Sequence, residues 1–529
     1  MLPPMSLRRA FACFLLACLP AAADARTLRY ASQDDPQTLD PHSANLLSTS
    51  RLTGNVYEPL VWRDKDWKVI PWLATSWTQP DAKTWRFRLR EGVKFHDGSV
   101  LTADDVVFSV ERALSPTSQL KVSLQGVRKA VKVDAMTVDL VMAKPNPVLL
   151  SHMTNFRIMS RAWCVKNGAA RPQDYTAKED TYAARNANGT GAFRVKERQT
   201  DVKTVLVAHP DWWGHRAGMN EGNLTEVVML PIKSNATRLA ALLSGEVDFV
   251  IDPPTQDVAR LRADPNVKIL EGGELRVQYI AFDVFRDELL YGKAGGKNPF
   301  KDLRVRQAVA HAIDAEAIRA KVMRGFSRPT GTILTPGIQG YARQADTPVP
   351  YDREKAKRLL AEAGYPDGFE VTLDAGNVQP ASDIAQAVAS MLAQVGIRAR
   401  PNIIPQSNYF PKIEKYDTSF YVLSWGGGIT ADALYTLQAL LHTANKKGEG
   451  DFNMGRWSNA RMDELIQQLQ SEENPARRED AAREALLIAG RELPLVAIHQ
   501  PRIPWAMRKS VSAWFSPVNT VYFYRVRVD

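Results

Sequence analysis

The side chains able to do covalent or metal chemistry are few and scattered in this chain of 529 residues. Cysteines stand at 13, 18 and 164, and histidines at 42, 96, 152, 209, 215, 311, 442 and 499, of which only His209 and His215 are close in sequence. A structural zinc site draws on Cys or His pairs at short fixed spacing, and a zinc protease presents H-E-x-x-H on one helix face. Neither pattern occurs, nor does G-x-S-x-G, which puts a serine nucleophile on a strained elbow, nor the phosphate-cradling G-x-x-x-x-G-K-[ST]. Gly189-Thr190-Gly191 starts like a dinucleotide fingerprint, but Ala-Phe-Arg follows, and NGTGAFRV reads as a turn entering a strand. Cys164 has no local nucleophile signature and reads as an inert buried thiol. With no nucleophile, base or metal set in view, no catalytic residue and no cofactor is expected. Nothing in these residues demands an enzyme.

The first 25 residues read as an export signal. Arg8 and Arg9 form a positive n-region, AFACFLL (10–16) an apolar stretch and Ala23-Asp24-Ala25 a small-x-small cleavage site, so the mature chain starts at Arg26. Leu15-Leu16-Ala17-Cys18 resembles a lipobox, in which Cys18 would carry a lipid, although Leu16 fits that pattern poorly. No stretch reaches the roughly 20 apolar residues of a membrane span. The expectation is a soluble, periplasmic protein that meets the membrane only through a partner, or through a lipid on Cys18. Removing the signal takes away two Arg and one Asp and leaves 66 basic against 57 acidic residues, a formal charge of +9. Both signs intermix in RDKDWK and ARREDAARE, as on a solvated face, so nucleic-acid binding is not expected. Cys164 is then the single thiol and no intramolecular disulfide can form.

The elements that would position a site are strands and helices intermixed, in two groups. Residues 55–77 hold four tryptophans (62, 67, 72 and 77) and lead into TWRFRLR, where Trp85, Phe87 and Leu89 alternate with arginines, so an antiparallel meander with an aromatic inner face is predicted. Thr102 with Asp105 three positions on predicts a capped helix carrying Val106, Val110 and Ala113 on one face. Two segments read strand, capped helix, glycine, strand, as a right-handed crossover requires. They are LTEVVMLPI, SNATRLAALLSG, EVDFVI, with Ser234 or Asn235 as cap and Gly245 as stop, and FEVTLDA, ASDIAQAVASMLAQVG, IRARPNII, with Ser382 or Asp383 as cap and Gly396 as stop. Further helices are predicted over 305–322 and 353–364. The crossover units lie about 150 residues apart, which two α/β lobes explain better than one very large sheet. The default ligand site is then the cleft between lobes, closed by a hinge.

Residues 74–114, from ATSW through DAKTWRFRLREGVKFHDGSVLTADDVVFSVERAL, resemble the signature region of family five of the bacterial extracellular solute-binding proteins, the peptide- and nickel-binding components of ABC importers. The resemblance continues in order through GTGAFRV (189–195), LLSGEVDFV (242–250), FKDLRVRQAVAHAID (300–314), YDREKAKRLLAEAGYPDGF (351–369) and MGRWSNARMDELI (454–466). It implies an α/β, two-lobed periplasmic binding protein fold of the type II, cluster C kind, acting as a monomer that delivers its ligand to ABC permease subunits. Lobe one would be 26–276 plus 497–529, with an extra subdomain over about 60–187, and lobe two 277–496. Hinge strands would lie at 278–284 and 494–507.

In peptide-binding members of that family an acidic side chain holds the ligand's ammonium and a tryptophan in a W-x-x-D segment lines the pocket. The matching stretch here is LSWGGGITADAL (423–434), with Trp425 in the tryptophan position, Ser424 and Gly427 beside it, and Gly428 where the anchoring Asp would stand. This departure puts ordinary ammonium recognition in doubt. Asp432 could take over only if the loop is rearranged. Three successive glycines let backbone approach a ligand closely and expose N–H groups, which suits anionic or carbonyl-rich ligands, or they permit a tight turn. Tyr409 and Phe410 lie where relatives turn an aromatic to the pocket, and Ser118 with Gln119 is a weaker match. The resemblance thus implies a receptor for peptides or peptide-like, N-blocked compounds. A receptor for a nickel or metal chelate would need a histidine such as His442 in the cleft, and an exported enzyme would need catalytic groups the sequence does not display.

Overall fold

The computed structural model describes residues 26–378, 380–428, 430–445 and 449–529, so the export signal and Cys18 lie outside the described residues. Both crossover units form. The strands Glu226–Pro231 and Phe249–Ile251 lie parallel on either side of Thr27–Ser32, joined by the helix Asn235–Ser244. Ser234 accepts a hydrogen bond from the Thr237 N–H, and Gly245 ends the helix at φ 82°, a left-handed conformation that glycine takes without strain. In the second unit Glu370–Gly376 and Arg398–Ile404 pair parallel, with the helix Ala381–Ala393 across them. That helix starts ahead of both expected caps. Pro380 occupies the cap position, which puts Ser382 and Asp383 inside the first turn, where the Asp383 carboxylate meets the positive helix end.

The helix expected over 305–322 is broken. Leu303–Ala312 stops at Ile313, and Asp314 caps a new start at Ala315–Ala317 by accepting from the Ala317 N–H. A short acidic side chain that can bond its own downstream amides favours a fresh helix start over an unbroken run.

Two strand connections carry the chain between the lobes. The strand Leu495–Arg508 belongs to both sheets. Its first residues pair with Arg276–Phe282, and residues 502–508 pair with Val267–Gly273. The other connection runs through Glu274 and Leu275, between Val267–Gly273 and Arg276–Phe282. The stretch 278–284 expected as a hinge therefore lies mostly within the second sheet, where Arg276–Phe282 is hydrogen-bonded on both sides to Phe420–Gly426 and Leu495–Arg508.

Ahead of the first crossover unit, Ala74–Asp81, Thr84–Leu89, Thr137–Met142 and Val127–Asp134 form a separate four-stranded antiparallel sheet. Trp85, Phe87 and Leu89 are buried on its inner face, while Arg86 on the outer face pairs with Asp139 at 2.7 Å. The helix Ala103–Leu114 packs on this sheet, and Thr102 with Asp105 makes the expected capping box.

The GTG turn is a packing device. A Cβ on Gly189 would lie 2.0 Å from the Val56 carbonyl oxygen and one on Gly191 2.7 Å from that of Asn55, so only glycine lets the segment pass the end of the helix Leu47–Val56. Between them Thr190 donates to Glu58, a buried carboxylate that also accepts the indole N–H groups of Trp72, Trp212 and Trp213 at 2.8, 2.9 and 3.0 Å. Tryptophans of the aromatic block thus serve as core and as donors that make a buried charge tolerable.

Candidate functional site

The lobes face each other across a cleft of about 480 Å³ at the strand crossings. Residues 41–53 and 517–522, with Asn155 and Arg157, supply lobe-one lining, Glu274, Leu275 and Arg276 line it at the crossing, and Phe410, residues 423–426, Gly428, Tyr435 and Phe452 supply lobe-two lining. Trp425 stands near the end of the strand Phe420–Gly426, whose pairing with Arg276–Phe282 fixes which side chains reach the cleft. The Trp425 indole N–H donates to the Thr436 hydroxyl at 3.1 Å, and its ring stacks on Tyr435 (centroids 5.2 Å apart, planes at 29°) and tilts against Phe452 at 5.0 Å. The same three rings also line a neighbouring interlobe cleft of about 760 Å³, where two lysines, Lys121 and Lys144, are balanced by two acids, Glu449 and Asp451.

The polar wall is built around Arg276. Its Nε donates to Glu274 at 3.0 Å and its Nη1 to the Ser424 hydroxyl at 3.3 Å. Gly426, paired with Arg276 in the sheet, leaves room for this guanidinium, since a Cβ there would lie 3.3 Å from Nη2. Gly428 also borders the cleft, where a Cβ would meet Val518 at 3.1 Å and Leu275 at 3.4 Å. The triple glycine does not present a row of unused N–H groups. Gly426 is part of a strand, and the Gly427 N–H is already bonded to the Leu275 carbonyl at 2.9 Å.

Trp425, Ser424, Gly428 and Phe410 therefore border the cleft, and four other expected residues do not. Asp432 is buried, caps the helix Ala433–Leu441 by accepting from the Leu434 N–H, and receives both carboxylate contacts at 3.0 Å from Arg478. An interior ion pair of this kind is costly to break, so Asp432 is not available to hold a ligand's ammonium. The Tyr409 hydroxyl donates to the Val422 carbonyl inside lobe two. Ser118 donates to the His42 carbonyl at 2.9 Å and accepts from the Leu120 N–H. Gly427 faces Ile338, 2.4 Å from where its Cβ would be.

Sequence reasoning missed Arg157, Arg276 and Glu274. Arg157 lies in NFRIMS, an apolar run interrupted by one cation, and such an interruption is itself a sign of a buried charge with a task. The residue is only 7% exposed, and its guanidinium lies over the Trp62 ring at 5.0 Å and bonds the Thr154 carbonyl at 3.2 Å. Another arginine ties the lobes together. Arg63 donates to the Trp67 carbonyl at 2.9 Å and, across the cleft, to that of Thr430 at 2.7 Å. Burial lowers its pKa to about 10.

Among the described residues no group of three or more His, Cys, Asp and Glu is placed to hold a metal ion. His442 is turned inward, with Nδ1 2.7 Å from the Thr443 carbonyl oxygen and with Asp463 and Glu449 at 3.7 and 3.8 Å. His215 rests against the His209 backbone carbonyl rather than beside its ring. Burial pushes the Cys164 thiol up to about 12, which makes it a poor nucleophile. No helix of the described residues is long and apolar enough to cross a membrane.

Two α/β lobes joined by crossing strands, with an aromatic-walled cleft at the crossing, are the architecture of a two-lobed solute-binding protein. The chain belongs to the bacterial extracellular solute-binding proteins, family 5, whose middle-region model matches residues 68–448. It is 29% identical over 490 residues to heme-binding protein A of Haemophilus influenzae, covering 87% of this chain and 84% of that protein. It is 27% identical over 516 residues to the glutathione-binding protein GsiB of Salmonella typhi, covering 95% and 94%. The structure of HbpA2 from Haemophilus parasuis superposes with a TM-score of 0.81 at 25% identity, over 95% of this chain and all of that one. The unliganded open form of the periplasmic murein tripeptide-binding protein MppA superposes at 0.76 and 23% identity, over 96% and 98%, a likeness of fold.

Proposed function

We propose that this chain is the periplasmic receptor of an ABC importer, which takes a peptide or peptide-like solute into the interlobe cleft and delivers it, as a monomer, to the membrane permease. The observation that carries the reading is the position of the Trp425, Tyr435 and Phe452 rings on the wall of a cleft that both lobes must enclose. A ligand held by both walls favours the closed arrangement by its differential affinity, and that arrangement is what a permease can read. The strand crossings support reading the chain as two lobes, with the bounds expected at 26–276 with 497–529 and 277–496 moved to 26–274 with 502–529 and 275–501, and residues 1–25 are read as the export signal. The similarity to a glutathione-binding protein supports a peptide-like ligand. Hemin belongs among the test compounds because of heme-binding protein A.

The test is a melting series of the mature chain with glutathione, di- to pentapeptides, N-acylated peptides and hemin. A compound at 100 times its Kd adds about 2.7 kcal/mol. At least one peptide-like compound is expected to stabilise the protein without being consumed. Trp425→Ala is expected to weaken that compound about 10- to 100-fold, as loss of a buried ring face worth about 1.5–3 kcal/mol would do. Turnover of a bound peptide, or stabilisation by none of the peptide-like compounds, overturns the reading.

A further inference from the structure

We propose that Arg157 is the counter-ion of a ligand carboxylate, and that the solutes taken by this receptor are anionic, carboxylate-bearing compounds rather than ones selected by a free ammonium. The inference rests on the reading of the cleft as a solute site and names the class of solute.

Arg157 is the exception among the buried arginines of the described residues. Arg112 holds Asp40, Arg478 holds Asp432 and Arg51 holds Asp252. Arg63, Arg238 and Arg306, which lack a carboxylate, each meet two or more oxygen acceptors. Arg157 makes no ion pair and meets one acceptor, the Thr154 carbonyl at 3.2 Å, although it is only 7% exposed. Glu58 offers it no free oxygen, because both are spent on three indoles and the Thr190 hydroxyl. A guanidinium removed from water without a hydrogen-bonded carboxylate is held at a penalty, which the Trp62 ring face 5.0 Å away offsets only in part. The remaining N–H groups belong to a side chain that borders the cleft, where an incoming carboxylate would relieve that penalty with the bidentate geometry guanidinium favours.

The other charges of the cleft point the same way. Among the described residues of this cleft Glu274 is the one acidic side chain, and it is already engaged by Arg276, so the carboxylate open to a ligand's ammonium stands in the neighbouring cleft, at Asp451. Gly428 supplies no acid either. The lining keeps one net positive charge, on Arg157, and Arg276 retains an Nη2 without a protein acceptor as a second contact for a dianion.

The experiment compares glutathione and N-acetyl dipeptide acids with their ethyl esters and C-terminal amides, by calorimetric titration and melting, on the mature wild-type chain and on Arg157→Gln and Arg157→Lys. The acids are expected to bind wild type at least tenfold more tightly than their neutral counterparts. Arg157→Gln should erase that preference while the ligand-free variant melts at or above the wild-type temperature, because an unpaired buried charge has been removed; a merely structural arginine would lower it. Esters that bind wild type as well as the acids overturn the inference and leave the receptor reading standing, as does a preference for acids that survives in Arg157→Gln. Binding of neither acids nor neutral analogues overturns both.

Discussion

Acidifying the protein from pH 6.5 to 4 is expected to abolish most of its stability. Three fully enclosed histidines contribute, alongside His96, which burial pushes down to about 3. Burial pushes His42, His152 and His499 down to about 4, with the Arg112 charge adding to the effect at His42 and the Arg63 charge at His152. An unfolded histidine takes up its proton near 6.5. Between pH 6.5 and 4 the unfolded chain therefore binds more protons than the folded one, so stability rises with pH across that window. The contribution is fully present above 6.5 and is lost as pH falls towards 4. At about 1.4 kcal/mol per unit, each of His42, His152 and His499 accounts for about 3 kcal/mol at pH 4 and together they account for about 9, comparable with the 5–15 kcal/mol by which domains are stable. Melting temperatures should be flat from pH 8 to 7 and fall steeply below 6.5. A melting temperature at pH 4.5 equal to that at pH 7 would sink this account of the buried rings.

Replacing Arg112 by Met is expected to destabilise the protein by about 3–5 kcal/mol, because it strands a carboxylate in the core. Arg112 and Asp40 meet at 2.8 and 2.6 Å with both side chains fully buried. Burial by itself would raise the Asp40 carboxyl, but the charge and hydrogen bonds of Arg112 outweigh it and hold the group below its ordinary value. Asp40 also accepts the backbone N–H groups of His42 and Gln173, so it shapes the segment from which Pro41, Ala44 and Asn45 reach the cleft. Arg112→Met should thus weaken ligand binding as well as folding. Arg112→Met combined with Asp40→Leu should cost less than the two single changes added together, since the double variant leaves no unpaired charge. Additive losses in a denaturant-unfolding cycle would mean that the pair is not coupled in this way.

Much of the fold was legible because it depends on local rules. Period-two burial at Trp85, Phe87 and Leu89, the Thr102–Asp105 box, and the glycine stops at 245 and 396 all read directly from residue type and spacing. The break at Asp314 was not legible, because a cap inside an apolar period competes with helix continuation and the tertiary packing decides. The site was legible in part. The match to the family's W-x-x-D segment put Trp425 in place, and Ser424, Gly428 and Phe410 border the same cleft. Asp432 reads as an acid near the pocket until Arg478, 46 residues away in sequence, is seen to hold it. Arg157 and Arg276 come from segments far apart in the chain, and only the tertiary fold brings them to one cavity. A sequence shows that a charge is present; whether it is paired is a property of the fold.

The most direct test of the receptor account is a distance measurement between the lobes. Cysteines at Val133 and Leu487, exposed positions on opposite lobes, can be labelled in a chain starting at Arg26, because Cys164 is buried and resists modification. With glutathione, or whichever panel peptide raises the melting temperature most, the account predicts a change in energy transfer that follows the binding isotherm and is lost in Trp425→Ala at the same concentrations. A compound that binds tightly with no change in transfer, and as well to Trp425→Ala as to wild type, would place the solute outside the interlobe cleft and contradict the account.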